Sequence, residues 1–510
     1  MSMISRYIFG TPLPTMAVIR EIAPSGGEIP HFTVTKADGS VSFTTILGDD
    51  DLIFGLGENV RGINKRGHLY RAWNMDDFSH TENKGGIYSS HNLLLFSGEQ
   101  GVFGAYFDDP GAVTFDLGYS DGGKAVITSE NGNLSVYLIE STTLTGLVRE
   151  FRHLIGRSYI PPKWAMGYIQ SRWGYASEDD LNFIVSEHRK RHIPLDNVCM
   201  DIDYMEDFKD FTWNPVHFPD LKAANARMKD EHIHLVPIID AGIKQLTGDP
   251  IYDEGVQKDY FVKKADGSLF VGAVWPGRAC FPDFLREDVR QWFGAKYHKL
   301  MDTGIEGFWN DMNEPALFYS TDSLENAFET AEKMRHENLG IDGAFKLKAA
   351  FVNIANNAED YRRFYHTVDG QPVRHDKVHN LYGAMMTKSA AEGFRSYNPD
   401  RRYLLFSRSS FIGAHRDGGV WQGDNSSWWS HLLLNMCGFL YTGADLGGFS
   451  CNTTEDLLLR WLALGVFTPL MRNHTAQHTR DQEIFRFRNW EDMRNVVSVR
   501  YALLPYLYSL

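Results

Sequence analysis

At 510 residues the chain is too long for one ordinary core, but a large barrel with one attached domain fits that length. Its formal charge of −14 excludes nucleic acid and anionic membrane as main partners, because both need a basic surface. With 43% apolar and 23% charged residues and no low-complexity tract, the composition is that of a globular enzyme.

The N-terminus, MSMISRYIFG, lacks the long apolar core of a signal peptide, and no run of about 18 apolar residues occurs, so a cytoplasmic protein is the simplest expectation. From there to about residue 160, short alternating runs are separated by turn residues. His31–Val34, Val41–Thr44, Asn92–Phe96, Val102–Phe107 and Leu134–Leu138 are examples, and they predict an antiparallel β-sandwich. Helical periodicity shows only near Leu144–Leu154. Ile160-Pro161-Pro162-Lys163 then reads as a linker, which divides the chain into a domain of residues 1–160 and another of 161–510.

Beyond the linker, strands alternate with amphipathic helices. Strands are expected near 165–171, 196–202, 233–240, 305–311, 402–408, 419–424, 436–442 and 464–470, with helices at 178–191, 219–232, 285–303, 380–395, 453–462 and 490–508. Eight such repeats make an α/β fold, a (β/α)8 barrel. Two stretches, about 241–284 and 318–378, are too long to be simple connections and are expected to wall a pocket as insertions after strands 3 and 4. Four cysteines, Cys199, Cys280, Cys437 and Cys451, show no metal-binding spacing, and no cofactor is called for.

The carboxyl ends of the expected strands carry Arg172-Trp173, Asp201, Asp240, Asp311, Arg408, Asp424, Asp445 and, after the eighth, Arg472-Asn473-His474. A lone strand-end aspartate is more often a turn cap, but polar or aromatic groups at every end point to a catalytic mouth. Two carboxylates facing each other from strands 4 and 6 would suit a retaining glycosidase, which needs its pair about 5–5.5 Å apart. Asn313 and Arg408 would keep Asp311 charged as the nucleophile, while Trp421, Trp428 and Trp429 would desolvate Asp424 as the acid/base. The 12 tryptophans could equally stack on sugar rings or fill a core. A metal-dependent barrel is disfavoured, since Arg408 at strand 5 would repel a cation.

These segments resemble glycoside hydrolase family 31, the α-glucosidase family, in its bacterial isomaltase and maltase-like form. Gly307–Glu314 is similar to the family's nucleophile signature and Gly423-Asp424-Asn425 to its acid/base motif. Asp201–Met205, Val274–Gly277, Phe281–Phe284, Gly443–Phe449 and Arg472–His474 follow in the family's order, and the match starts at Gly55-Leu56-Gly57-Glu58. The resemblance implies retaining, exo-acting hydrolysis of terminal α-1,6- and α-1,4-linked glucose in small oligosaccharides such as isomaltose and maltose. It further implies that Asp201, Arg408 and His474 bind the hydroxyls of that glucose and that Ile202, Trp275, Trp309, Met312, Trp421 and Phe449 line its pocket. Asp76 would reach in from a β-domain loop, and Trp173 would mark tolerance of α-1,6 links.

An α-xylosidase, an α-transglucosylase and a catalytically impaired binding or regulatory homologue stay open as alternatives, as does a homo-oligomer. Two departures from the family stand out. C-terminal β-domains are expected to be absent, leaving an apolar face bare, and residues 426–435 are expected to form a cramped crossover helix that could displace Asp424.

Overall fold

The computed structural model describes residues 3–78, 80, 81, 83–426 and 437–509. Two five-stranded antiparallel sheets form the N-terminal part. One runs in the order 3–9, 134–140, 101–108, 93–98, 52–55 and the other in the order 33–37, 40–46, 124–129, 113–117, 68–72. Alternation decides what each face of the first sheet meets. Leu94, Phe96, Phe103, Phe107 and Leu138 point into the sandwich core with Phe32 and Phe43, while Leu93, Leu95, Tyr106, Tyr137 and Ile139 join the core of the barrel. This sheet is therefore buried on both faces. Helix Leu144–Ile155 completes the joint through Leu147, Phe151 and Leu154.

The expected barrel is present, a (β/α)8 ring of parallel strands. In chain order the strands are Tyr168–Gln170, Asn197–Met200, His234–Ile239, Gly307–Asn310, Leu404–Ser407, Gly419–Trp421, a seventh in two pieces, and Met471–Asn473. Thr442–Gly443 pairs with the sixth strand, and Asp445–Leu446 with the eighth. The eighth pairs in turn with the first, so the ring closes through a seventh strand broken at Ala444.

Strands 7 and 8 lie later in the chain than their expected positions of 436–442 and 464–470. Leu464 belongs to helix Glu455–Gly465, whose Leu458, Trp461, Leu462 and Gly465 are buried at helical spacing, and the apolar run beyond it leads up to the strand. Apart from Ser426, the expected crossover helix of 426–435 lies outside the described residues, as do Trp428 and Trp429.

The two insertions fold together. Strand Tyr319–Ser320 of the second adds to a sheet built from 243–244, 271–274 and 277–280 of the first, and Lys263–Lys264 of the first pairs with strand Phe364–Val368 of the second. Residues 318–378 are only partly helical: helices Thr321–Met334 and Ile341–Val352 precede a hairpin of 364–368 with 371–374. Helices Glu287–Lys296 and Tyr382–Tyr397 cross so closely that a Cβ on Gly393 would meet the Gly294 carbonyl oxygen at 2.1 Å, which is why both are glycine. No described helix is long and apolar enough to cross a membrane.

Candidate active site

Asp311 and Arg408 follow two paired strands. Asn310 is in register with Ser407, and the Arg408 N–H donates to the Asn310 carbonyl at 3.0 Å, so the next side chain of each strand emerges at the same level of the ring. After Asp311 the chain turns through Met312 at φ 55, a left-handed conformation costly for a non-glycine residue. The turn brings the Met312 N–H to 2.6 Å from Asp311 Oδ1, so Asp311 bonds the following amide as a turn cap would and also faces the barrel mouth.

Arg408 is the hub. Its Nε and Nη2 donate to the two oxygens of Glu314 at 2.9 and 2.8 Å, and Nε also lies 2.9 Å from Asp311 Oδ1. Nη1 is 3.6 Å from both Asp76 Oδ1 and Asp424 Oδ2, and the guanidinium sits 4.9 Å from the centre of the Tyr88 ring. One fixed cation thus serves four carboxyl groups in a buried site, and all four cannot ionise together. Burial is the largest influence on each shifted group. It lifts Glu314 to about 7 and Asp424 well above the usual carboxylate range, with Arg408 opposing both. Asp311 is raised as well, but Arg408 and the Met312 N–H pull it back. Arg408 therefore faces Asp424 as well as Asp311, and its contact with Asp311 is the shorter.

A second buried cation underlies the pocket. Arg472 donates to Asp445 Oδ1 through Nε and Nη2 at 3.0 and 2.7 Å. Its guanidinium is caged by the rings of Trp309, Trp421 and Phe406 at 4.7, 4.8 and 5.3 Å. Trp309 touches Trp421 and His474 edge-on, and Phe449 stacks on His474 at 4.9 Å. His474 Nδ1 lies 2.7 Å from Ser171 Oγ, and its Nε2 lies 3.6 Å from Asp201 Oδ2. Burial and the neighbouring Arg472 hold His474 neutral, and burial, with Asp311 nearby, pushes Asp201 up to about 8. Their contact is thus between neutral groups. Because the folded-state value of Asp201 is raised, its stabilising effect is complete below the unfolded value near 3.9 and is lost as pH rises toward 8. Relative to an Asp201→Asn variant, the parent should lose thermal stability between pH 5 and pH 8, a difference that melting curves at the two values will measure.

Residues 158–510 match the glycosyl hydrolases family 31 TIM-barrel domain. The chain belongs to glycosyl hydrolase family 31. Residues 20–116 match the family's N-terminal galactose mutarotase-like domain. Alpha-glucosidase 2 of Bacillus thermoamyloliquefaciens is 34% identical over 92% of this chain and 57% of its own length. The alpha-glucosidase of Saccharolobus solfataricus is 29% identical over 99% of this chain and 73% of its own. Among solved structures, a Flavobacterium johnsoniae family 31 dextranase complexed with glucose superposes with a TM-score of 0.80 at 25% identity, over 94% of this chain and 56% of that one. A mutant of the same dextranase, complexed with isomaltotriose, gives the same values. This chain thus spans little more than half the length of two of these three relatives.

Within the family 31 barrel, Asp424 is placed by what surrounds it. Gly423 has φ 63, and a Cβ there would lie 2.1 Å from the Tyr88 ring, so only glycine fits before Asp424. Behind it, Asn425 stitches the end of strand 6 to strand 7 and the loop after it: its Nδ2 donates to the Asp445 carbonyl at 3.2 Å, and its Oδ1 accepts from the Phe449 N–H at 3.1 Å. Ile202 is buried beside Asp201, whose Oδ1 accepts the Ile202 N–H at 2.7 Å. Asp76, Asp311, Met312 and Asp424 meet at Arg408, whereas Trp309, Trp421, Phe449, Asp201 and His474 gather above Arg472. Trp173 and Trp275 form a separate half-buried pair, ring centres 5.1 Å apart, with Phe318 beside Trp275. Glu314, Tyr88 and Arg472 join the site without having been given a role there from the sequence. Glu314 lay within the nucleophile motif and Arg472 beside His474, but nothing local signals Tyr88, which meets Arg408 across 320 positions.

Proposed function

We propose that the chain is a retaining, exo-acting α-glucosidase that removes terminal non-reducing α-linked glucose from small oligosaccharides. The observation that carries this reading is the shared contact of Arg408 with Asp311 and Asp424, which supports a charged Asp311 and a protonated Asp424 acting on one sugar. Asp311 attacks the anomeric carbon as the glycosidic C–O bond breaks, and Asp424 gives its proton to the departing oxygen. The product is a glucosyl ester on Asp311 with Asp424 ionised. Water then enters from the face the leaving group vacated, loses its proton to Asp424, attacks the same carbon and frees Asp311. Two displacements restore the starting configuration. Proton NMR of the first product from p-nitrophenyl α-glucoside should therefore show α-glucose appearing before mutarotation, and β-glucose first would exclude the mechanism.

Tolerance of α-1,6 links is supported by Trp173, which packs edge-on against Trp275, and by the isomaltotriose complex of the similar dextranase, and hydrolysis of α-1,4 links belongs to the same reading. Trp173→Tyr is expected to lower kcat/KM for isomaltose several-fold while changing that for maltose less, since the smaller ring loses apolar contact with one linkage geometry. Equal ratios in parent and variant would remove the α-1,6 part of the reading.

A further inference from the structure

A buried file of three imidazoles runs from the first insertion to the loop that carries Asp76. Asp283 Oδ1 lies 2.7 Å from His366 Nδ1, and His366 Nε2 lies 2.8 Å from His375 Nδ1. His375 Nε2 is 2.8 Å from His379 Nδ1, and His379 Nε2 is 2.6 Å from the Asn74 carbonyl oxygen. All four residues are 3% exposed or less. Packing fixes the ring planes: Phe364 stacks on His375 at 4.3 Å, and Trp73 on His379 at 3.8 Å.

Counting hydrogens gives an unexpected result. Each of the four contacts has hydrogen-bond length and needs one hydrogen. A neutral imidazole has one N–H, so three supply three. Neither end of the file can make up the difference, because the Asn74 carbonyl only accepts and an ionised Asp283 carboxylate only accepts. With three hydrogens, one link would press two lone pairs together in a site closed to water, which costs far more than an ordinary missing bond. The file therefore holds a fourth proton. Burial disfavours an imidazolium at His375 and His379, while the carboxyl of Asp283 touches His366. The fourth proton thus belongs to the Asp283–His366 contact, and the Thr367 N–H, 2.7 Å from Asp283 Oδ2, satisfies the other oxygen.

At the far end the file bears on the active site. Asn74 is fully buried: its N–H donates to Asn380 Oδ1 at 2.9 Å and its Nδ2 to Ser409 Oγ at 2.8 Å, next to Arg408. Two residues on, Asp76 faces Arg408 from the N-terminal domain, and its backbone carbonyl accepts from Asn356 Nδ2 of the second insertion at 3.3 Å.

We propose that Asp283, His366, His375 and His379 are positioning residues that hold one proton more than three neutral imidazoles carry. With it the file donates a hydrogen bond to the Asn74 carbonyl and so fixes Asp76 against Arg408. The effect on Asp76 rests on the glucosidase reading above; the proton count does not.

Two measurements test this on the full chain. Neutron diffraction from deuterium-exchanged crystals should show four deuterons along the file; three would overturn the proposal. In kinetics, Asp283→Asn should preserve function. Its Nδ2 can donate to His366 Nδ1 with all three imidazoles neutral, while its Oδ1 still accepts from Thr367. His379→Phe removes the donor to Asn74. This variant is expected to lower kcat/KM for p-nitrophenyl α-glucoside at least about tenfold, mainly through KM, with Asp283→Asn within about twofold of the parent. Parent-like kinetics in His379→Phe, or a tenfold loss in Asp283→Asn, would also overturn the proposal. An inactive parent would count against the glucosidase reading alone, because the deuterons would still decide the file.

Discussion

Asp311→Ala should lower kcat for p-nitrophenyl α-glucoside by at least about ten-thousandfold, the scale on which removal of a nucleophile acts, with the circular dichroism spectrum unchanged. Asp424→Ala should behave differently. p-Nitrophenolate leaves without a proton donor, so the first displacement survives and the glucosyl ester on Asp311 accumulates for want of a base. Azide needs no base and should then restore turnover, with α-glucosyl azide as the product. Azide added to Asp311→Ala has no ester to attack and can displace only from the opposite face, giving the β-azide. Product anomers identified by NMR separate the two roles. α-Azide from Asp311→Ala would reverse them, and undiminished hydrolysis by that variant would remove the nucleophile.

Arg408→Met carries the largest expected effect on stability. It leaves Asp311, Glu314, Asp76 and Asp424 facing one another without the cation they share. Breaking a buried ion pair on one side costs about 3–5 kcal/mol. The sign of the pH dependence follows from the remaining carboxyls. Arg408 opposes the burial-driven rise of Glu314 and Asp424, so without it their folded-state values climb further. A carboxyl with a raised folded-state value loses stability as pH rises, and Glu314 already sits at about 7. Urea unfolding should therefore show the gap between Arg408→Met and the parent widening from pH 5 to pH 8. A gap that is constant or narrows over that range would mean that the carboxyls are not held apart by Arg408.

The reach of the sequence differed from part to part. The sandwich strands, the barrel and the candidate residues at its mouth were legible because apolar runs of strand length end abruptly in charged or aromatic residues. Asp311 after Gly307–Asn310 and Asp424 after Gly419–Trp421 both follow that rule. It failed at the last two strands. Arg472-Asn473 is expected just past the eighth strand, yet Met471-Arg472-Asn473 is that strand and all three side chains are buried, since Arg472 is paired with Asp445 among three aromatic rings. An apolar-core assumption cannot find a strand whose inward residue is an arginine.

By itself, then, the sequence determined the order of elements, the family and which polar residues stand at strand ends, because those depend on periodicity and on motifs only a few residues long. Only the tertiary structure decided how charge is shared. Arg408 is set among four carboxyls from three separate segments, and the three histidines form a file only where the second insertion meets the N-terminal domain. Protonation follows from burial and from neighbours hundreds of positions away, and chain closure sets both.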